Sequence, residues 1–396
     1  MNNKVFIYRS ETMTPNGITI EENYENFYQS VSNIRTYNRT KPFKGSSSYG
    51  LIDWEDASIK NIQEHYKLRT AVAFLIRSIA KRSAIKEFDQ VLCMFAPRME
   101  EIVQSKIRFG NLENYLNEIN MEKFLIGEFR KNNLTAKKTD MQLLENTCTS
   151  GNSLLSFGYQ GIKLKKWNSV LVIAVDLVDL FGLEILDSFG ALANSEKYLD
   201  AARLRPFDLE RSGFVKSDGA ACAVLTGDQK YEFDSMAEIL SFAQTSDAYK
   251  LTDGREDVAS VKECMRMAIE RSGLSYDQID IVKAHGTGTG LNDKHESTAI
   301  MSLFNQKHRP HVTSLKGHIG HVTDASGLVE TAIMTHSINN GHLIEIRNLE
   351  KREFDLNFVT EKQLKISKPH VNILANSLGF GGNNCSLVLS CPTTFR

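Results

Sequence analysis

The chain has 396 residues, 41% of them apolar, more than one ordinary compact domain holds and enough to fill two cores or one large fused core. Its 47 Lys and Arg nearly cancel its 48 Asp and Glu, which argues against a nucleic-acid or acidic-polymer binder, so any charged partner must be met by a local patch. The opening "MNNKVFIYRSETMTPNG" lacks the long apolar run of a signal peptide, and the most apolar segment, "SVLVIAVDLVDLFGLEIL", carries Asp176, Asp179 and Glu184 and is broken by Gly182; a cytoplasmic chain with no membrane span is expected.

In chain order, β-rich runs alternate with helical ones. The strand "KVFIY" precedes a helix in "LRTAVAFLIRSIAKRS"; the strand "QVLCMFA" is followed by a charged helical region, a helix after Cys148, and the strand "NSVLVIAVD". Beyond "RLRPFDLERSGFVKSDGAA", a Gly-bearing polar segment expected to be a surface turn, come the strands "GAACAVLTG" and "EILSFAQTS". Then follow a helix in "DVASVKECMRMAIERSG", the strand "IDIVKAHG", a helix from Asn292, a strand near "HVTSL", a helix from Asp324, and the strands "NILANSLGFGG" and "NCSLVLS". Such alternation predicts α/β layers, with sheets covered by helices. A composition break near "TGDQKYEF" separates two halves, residues 1–232 and 233–396, with no sequence repeat between them and no linker.

Six cysteines occur without a C-x-x-C pair, and most sit in apolar runs as reduced core thiols. Cys148, in "ENTCTSGNSLLSFG", stands instead where a helix begins, flanked by hydroxyl residues that can cap it and by Gly151, which allows close approach. A helix N-terminus favours the thiolate, so Cys148 is a candidate nucleophile with a lowered pKa; taken alone the signal is weak and the default reading is a buried structural thiol. "VKAHGTGTG" presents His285 at a strand end, and "SLKGHIGHVTDASG" sets Lys316, His318 and His321 in one turn before a helix. Cys148, His285 and His321 are also metal-ligand types, but no pair has chelating spacing, and no metal is expected. "NSLGFGGNNCSLVL" lacks the ending of a phosphate loop, and its backbone N–H groups suit an oxyanion hole beside a nucleophile.

These segments, in this order, resemble the β-ketoacyl synthases of fatty-acid and polyketide synthesis. "NTCTSG" resembles that family's nucleophile motif, "AHGTGTG" with Asp293 and Glu296 its first histidine motif, "LKGHIGH" its Lys-x-x-x-Gly-His motif, "NSLGFGG" its closing glycine motif, and "RPFDLERSGFVKSDGA" a fifth signature. The resemblance covers about residues 140 to 392 and is loose before that.

What it implies is a thiolase-like, five-layered αβαβα fold of two pseudo-repeated halves, and the elongating Cys-His-His class. Cys148 would be the acylated nucleophile, His285 and His321 the paired histidines, and Lys316 with Glu296 as its partner carboxylate their support. Gly379 and Phe380 would stand at the gate, the Phe380 N–H forming the oxyanion hole with that of Cys148. Thr287 and Thr289 would hold the pantetheine arm, and Lys67, Arg69 and Arg205 would dock an acidic acyl carrier protein. No bound cofactor is implied, since substrates ride on the carrier's phosphopantetheine. A homodimer, or a heterodimer with a related chain-length subunit, is implied, with its interface strand near "SVLVIAVD". The expected reaction is decarboxylative condensation of an acyl group on Cys148 with malonyl carrier protein to give a 3-oxoacyl carrier protein. Alternatives are a non-catalytic chain-length subunit, against which the three reactive residues speak, and a starter-loading or thiolase-type acyltransferase, against which the lysine motif speaks. Departures from the family pattern, "VTDASG" with Asp324, "KSDGA" for Gly-Glu-Gly, Asn383 for Thr, and the opening segment, imply a specialised fatty-acid, polyene or polyketide pathway.

Overall fold

A computed structural model describes residues 4–38, 46–56, 59, 67–96, 120–143, 146–193, 197–304 and 308–393. The chain begins with β1 (Phe6–Met13), α1 (Ile20–Tyr28), the ribbon strands β2 (Arg35–Asn38) and β3 (Ser46–Tyr49), and α2 (Lys67–Arg82). There follow β4 (Glu87–Phe95), α3 (Met121–Lys131), β5 (Thr135–Leu143), α4 (Ser150–Lys163), β6 (Ser169–Asp176), α5 (Leu180–Ser188) and β7 (Gly219–Thr226). The rest comprises β8 (Ala237–Ser246), α6 (Ala259–Ser272), β9 (Ile281–Lys283), α7 (Gly290–Leu303), β10 (His311–Thr313), α8 (Lys316–Ile319) and α9 (Ser326–Asn339). The short ribbon β11 (His342–Leu343) and β12 (Leu364–Lys365) precedes the hairpin β13 (His370–Gly379) and β14 (Asn383–Pro392).

Ten strands pair in the order β10-β9-β13-β14-β8-β1-β7-β6-β4-β5. Read inward from either end, the pairings are parallel, parallel, antiparallel, antiparallel. The two five-stranded sets therefore repeat one topology, and they join where Phe6 and Ile7 of β1 meet Glu238 and Ala237 of β8.

Strand side chains alternate between two faces, and both faces of each set are covered. Leu92 and Met94 of β4 turn to a central core shared with Leu154 and Leu155 of α4 and Leu328 and Ile333 of α9. Val91 and Cys93 turn outward onto α2 and α3. In the second set Val282, Leu374 and Val388 face α6 and α7. The result is five layers, with α4 and α9 sandwiched in the middle. A helix so placed must be apolar all round, and α9 is buried along almost its entire length.

Two expectations are corrected. Strand β6, "SVLVIAVD", is flanked by β7 and β4 and buried throughout, so it offers no edge to a second chain; the edge of that half is β5. The segment from Leu204 to Gly219 is largely interior rather than a surface turn: Phe207 and Phe214 enter cores, and the Asp293 carboxylate accepts the Phe207 N–H.

The central helices touch through glycine. A Cβ built on Gly151 would lie 2.4 Å from Leu328 N, and one on Gly327 would lie 2.5 Å from Asn152 N. This contact brings the N-termini of α4 and α9 together. Gly327→Ala should therefore push the helices apart and lower unfolding stability by about 1–3 kcal/mol, as overpacking does; an unchanged denaturant midpoint would show that the contact can yield.

Candidate active site

Four chain segments converge where α4 and α9 begin. Cys148 lies just before α4, held by the positive φ of Thr147 (49°) and by the Thr147 hydroxyl, which donates to the Phe380 carbonyl at 3.1 Å. His285 follows β9, the equivalent of β4 in the other half. His321 sits in the turn between α8 and α9, and Gly379 ends β13, with Phe380 opening the turn after it. The Cys148 Sγ and one nitrogen from each of His285 and His321 all lie within 4.8 Å of one another. The two imidazoles meet edge to face at 5.3 Å, and Phe214 backs His321 at 4.8 Å.

Second partners fix the histidine tautomers. The Lys316 ammonium lies 3.3 Å from His285 Nδ1 and donates to the His285 carbonyl at 2.7 Å and to Glu330 Oε1 at 2.5 Å. An ammonium can only donate, so His285 Nδ1 accepts and the ring proton resides on Nε2. His321 Nδ1 accepts from the Thr323 N–H at 3.1 Å, which again leaves the proton on Nε2. Burial, reinforced by the charge on Lys316, holds both imidazoles well below the usual 6.5. The site thus carries two neutral N–H donors beside a thiol.

Lys316 is balanced by Glu330 on α9, not by Glu296. Glu330 Oε2 also accepts from Lys283 at 2.6 Å. Burial opposes its ionisation, but Lys283 and Lys316 hold the carboxyl below its usual range. Burial in turn draws the Lys316 ammonium down, against the pull of Glu330. Glu296 does other work: it accepts the His285 and Gly286 N–H groups at 2.8 and 2.9 Å and the Asn376 amide at 3.1 Å, which sets the turn carrying His285. Asp293, one helical turn away on α7, accepts the Thr287 and Gly288 N–H groups at 3.0 and 3.1 Å. Glu330 was hard to see in the sequence, but an acid inside the apolar run "GLVETAI" signals a buried cation to be met.

A cavity of about 320 Å³ opens at this point, lined by Cys148, His285, His321, Thr287, Thr289 and Phe380 among others. The Thr287 and Thr289 hydroxyls are 2.9 Å apart. Phe189 meets the Phe380 ring edge-on at 6.4 Å. Lys67 and Arg69 on α2 are half-buried, the first over Trp54 at 5.3 Å and the second over Phe124 at 5.1 Å. Arg205 is not available for docking: it is 1% exposed, lies over Tyr198 at 4.2 Å, and pairs with Asp208 and Glu350 at 3.2 and 3.0 Å.

A family profile described as "Beta-ketoacyl synthase, C-terminal domain" matches residues 236–350. The chain is 34% identical over 194 residues to the 3-oxoacyl-[acyl-carrier-protein] synthase 2 of Coxiella burnetii, a match covering 47% of this chain and 46% of that protein. The fold is shared with a solved type II polyketide acyl-carrier protein in complex with its ketosynthase, AntDE:AntF, at a TM-score of 0.83 and 19% identity over 99% of this chain and 100% of that one. The ishigamide ketosynthase/chain length factor aligns with a TM-score of 0.82 and 20% identity over the same shares. The chain resembles the β-ketoacyl synthases and matches their C-terminal domain over residues 236–350. Its fold is the thiolase-like one of those ketosynthases. The matched stretch spans about half the length of the curated relative, 46%.

In this chain the thiol departs from expectation. Burial, aided by the negative charge of Asp324 and opposed by Lys316, pushes Cys148 up to about 12 rather than down. The alkylation rate of Cys148 by iodoacetamide, read against Cys148→Ala, should therefore keep rising with pH beyond about 9, because thiolate accumulates only as the pH approaches the raised pKa. A plateau below about pH 8 would mean that the helix N-terminus prevails over burial.

Proposed function

We propose that this chain catalyses decarboxylative condensation of an acyl group held on Cys148 with a malonyl unit on an acyl carrier protein. The observation that carries this is the placement of the Cys148 Sγ within 4.8 Å of two imidazole nitrogens in rings whose Nδ1 atoms are already engaged. The Cys148 thiol attacks the carrier thioester, forming acyl-Cys148 and releasing the carrier thiol; the N–H groups of Cys148 and Phe380 would receive the oxyanion. The malonyl thioester then loses CO2, and the enolate oxygen takes hydrogen bonds from the Nε2–H groups of His285 and His321. The carbanion attacks the acyl carbon, the C–S bond to Cys148 breaks, the sulfur takes up a proton, and 3-oxoacyl carrier protein leaves.

Lys316 and Glu296 act behind His285 in this reading, Thr287 and Thr289 line the approach of the pantetheine arm, and Gly379 and Phe380 form the gate. Lys67 and Arg69 are the proposed docking residues for an acidic carrier. A partner chain, a second copy or a chain-length subunit, suits the exposed Phe181 and Ile185 of α5 and the exposed Phe189, which lines the cavity. No described helix is long and apolar enough to cross a membrane, which fits the proposed cytoplasmic setting. The non-catalytic alternative has no use for a thiol set between two neutral N–H donors.

Intact-mass and product analysis with acyl and malonyl carrier proteins tests the reading. The parent chain should gain the acyl mass and release the 3-oxoacyl carrier. Cys148→Ala should do neither, and His321→Ala should be acylated but fail to condense. Product from Cys148→Ala would overturn the proposal.

A further inference from the structure

Two of the places where the sequence departs from the family pattern meet in space. Lys216, from "KSDGA", and Thr323, from "VTDASG", come together with Asp176 at the end of β6. Lys216 and Asp176 are 6% and 4% exposed. The Lys216 Nζ donates to Asp176 Oδ1 at 2.6 Å and to Thr323 Oγ1 at 2.5 Å. The Thr323 hydroxyl donates to Asp176 Oδ2, which also accepts the Asp324 N–H at 3.0 Å.

This closed cluster holds Thr323 at a φ of 35°, a left-handed conformation that a β-branched residue adopts only under constraint. In that conformation its N–H reaches His321 Nδ1. The backbone on either side of Lys216 clasps the same histidine: the His321 N–H donates to the Val215 carbonyl at 2.7 Å, and the Ser217 N–H donates to the His321 carbonyl at 3.0 Å. None of the three residues lines the cavity.

We propose that Asp176, Lys216 and Thr323 are positioning residues for His321, a buried ion-pair clamp that keeps the Thr323 N–H on Nδ1 and so keeps the ring proton on Nε2. The inference rests on the functional reading above for its consequence in catalysis, but not for its structural content. An imidazole free to flip or change tautomer would turn a lone pair toward the enolate instead of a donor, while transfer of the acyl group to Cys148 would be spared.

The test uses the full chain with Thr323→Ala, Thr323→Ser and the charge-free double variant Asp176→Asn/Lys216→Met. Thr323→Ala and the double variant should be acylated on Cys148 within about threefold of the parent yet lose on the order of tenfold to a hundredfold in condensation kcat, with KM for malonyl carrier protein unchanged; Thr323→Ser, which keeps the hydroxyl, should recover to within about threefold. Imidazole nitrogen NMR, without any substrate, should show His321 as the Nε2–H tautomer in the parent and Thr323→Ser and as a mixture in Thr323→Ala. An unchanged tautomer in Thr323→Ala, or a serine variant as impaired as the alanine one, would overturn the clamp. A parent chain that makes no product would remove the functional reading and leave the tautomer measurement to decide the clamp on its own.

Discussion

The site is organised around one buried carboxylate. Glu330 lies in the middle layer between two ammonium groups, Lys283 and Lys316, all three at most 1% exposed at the side chain. Two cations and one anion leave an excess positive charge in a low-dielectric interior. That excess adds to burial in keeping the histidines unprotonated, because a further positive charge there would be strongly unfavourable. It also suits a reaction in which negative charge develops nearby. Removing one member of such a cluster leaves an uncompensated buried charge, a loss of about 3–5 kcal/mol, so the cluster contributes to the fold as well as the chemistry.

The same carboxylate ties together several elements of the second half. Glu330 rides on α9, Lys283 ends β9, and Lys316 begins the turn that leads to His321. Lys283 also donates to the Asn376 carbonyl of β13 at 2.8 Å, while the Asn376 amide reaches Glu296 at 3.1 Å. The glycine contact between α4 and α9 then fixes how far Cys148 stands from this cluster. Position of the thiol and protonation of the histidines are thus set by a single packed layer.

Much of this was legible in the sequence, and the limits are physical. Strand β6 and helix α2 announce themselves by apolar runs and periodicity, and Cys148, His285 and His321 by motifs whose residue types the chemistry requires. The structural repeat left no sequence repeat and was expected only from the resemblance, because the halves share strand order and not side chains. Local pattern misplaced "RPFDLERSGFVKSDGA", since polarity alone does not show that Asp293 and Glu350 wait to pair with it. Arg205 read as a surface cation for the same reason. The partner of Lys316 lies 14 residues on, across a turn and a helix, a distance that spacing rules do not bridge. The thiol's pKa was misjudged because a helix N-terminus can be read from sequence, whereas the depth of burial that opposes it cannot.

The claim at the centre of this account is that His285 and His321 work as neutral N–H donors. Single-turnover condensation with Cys148 already acylated removes the thiol's own titration and leaves the histidines to shape the pH profile. From about pH 5 to about pH 8 the rate should be flat, because both imidazoles lose their charge far below the ordinary value of 6.5. A bend with a midpoint between about 6 and 7 would show a histidine titrating as if exposed, and would contradict the account.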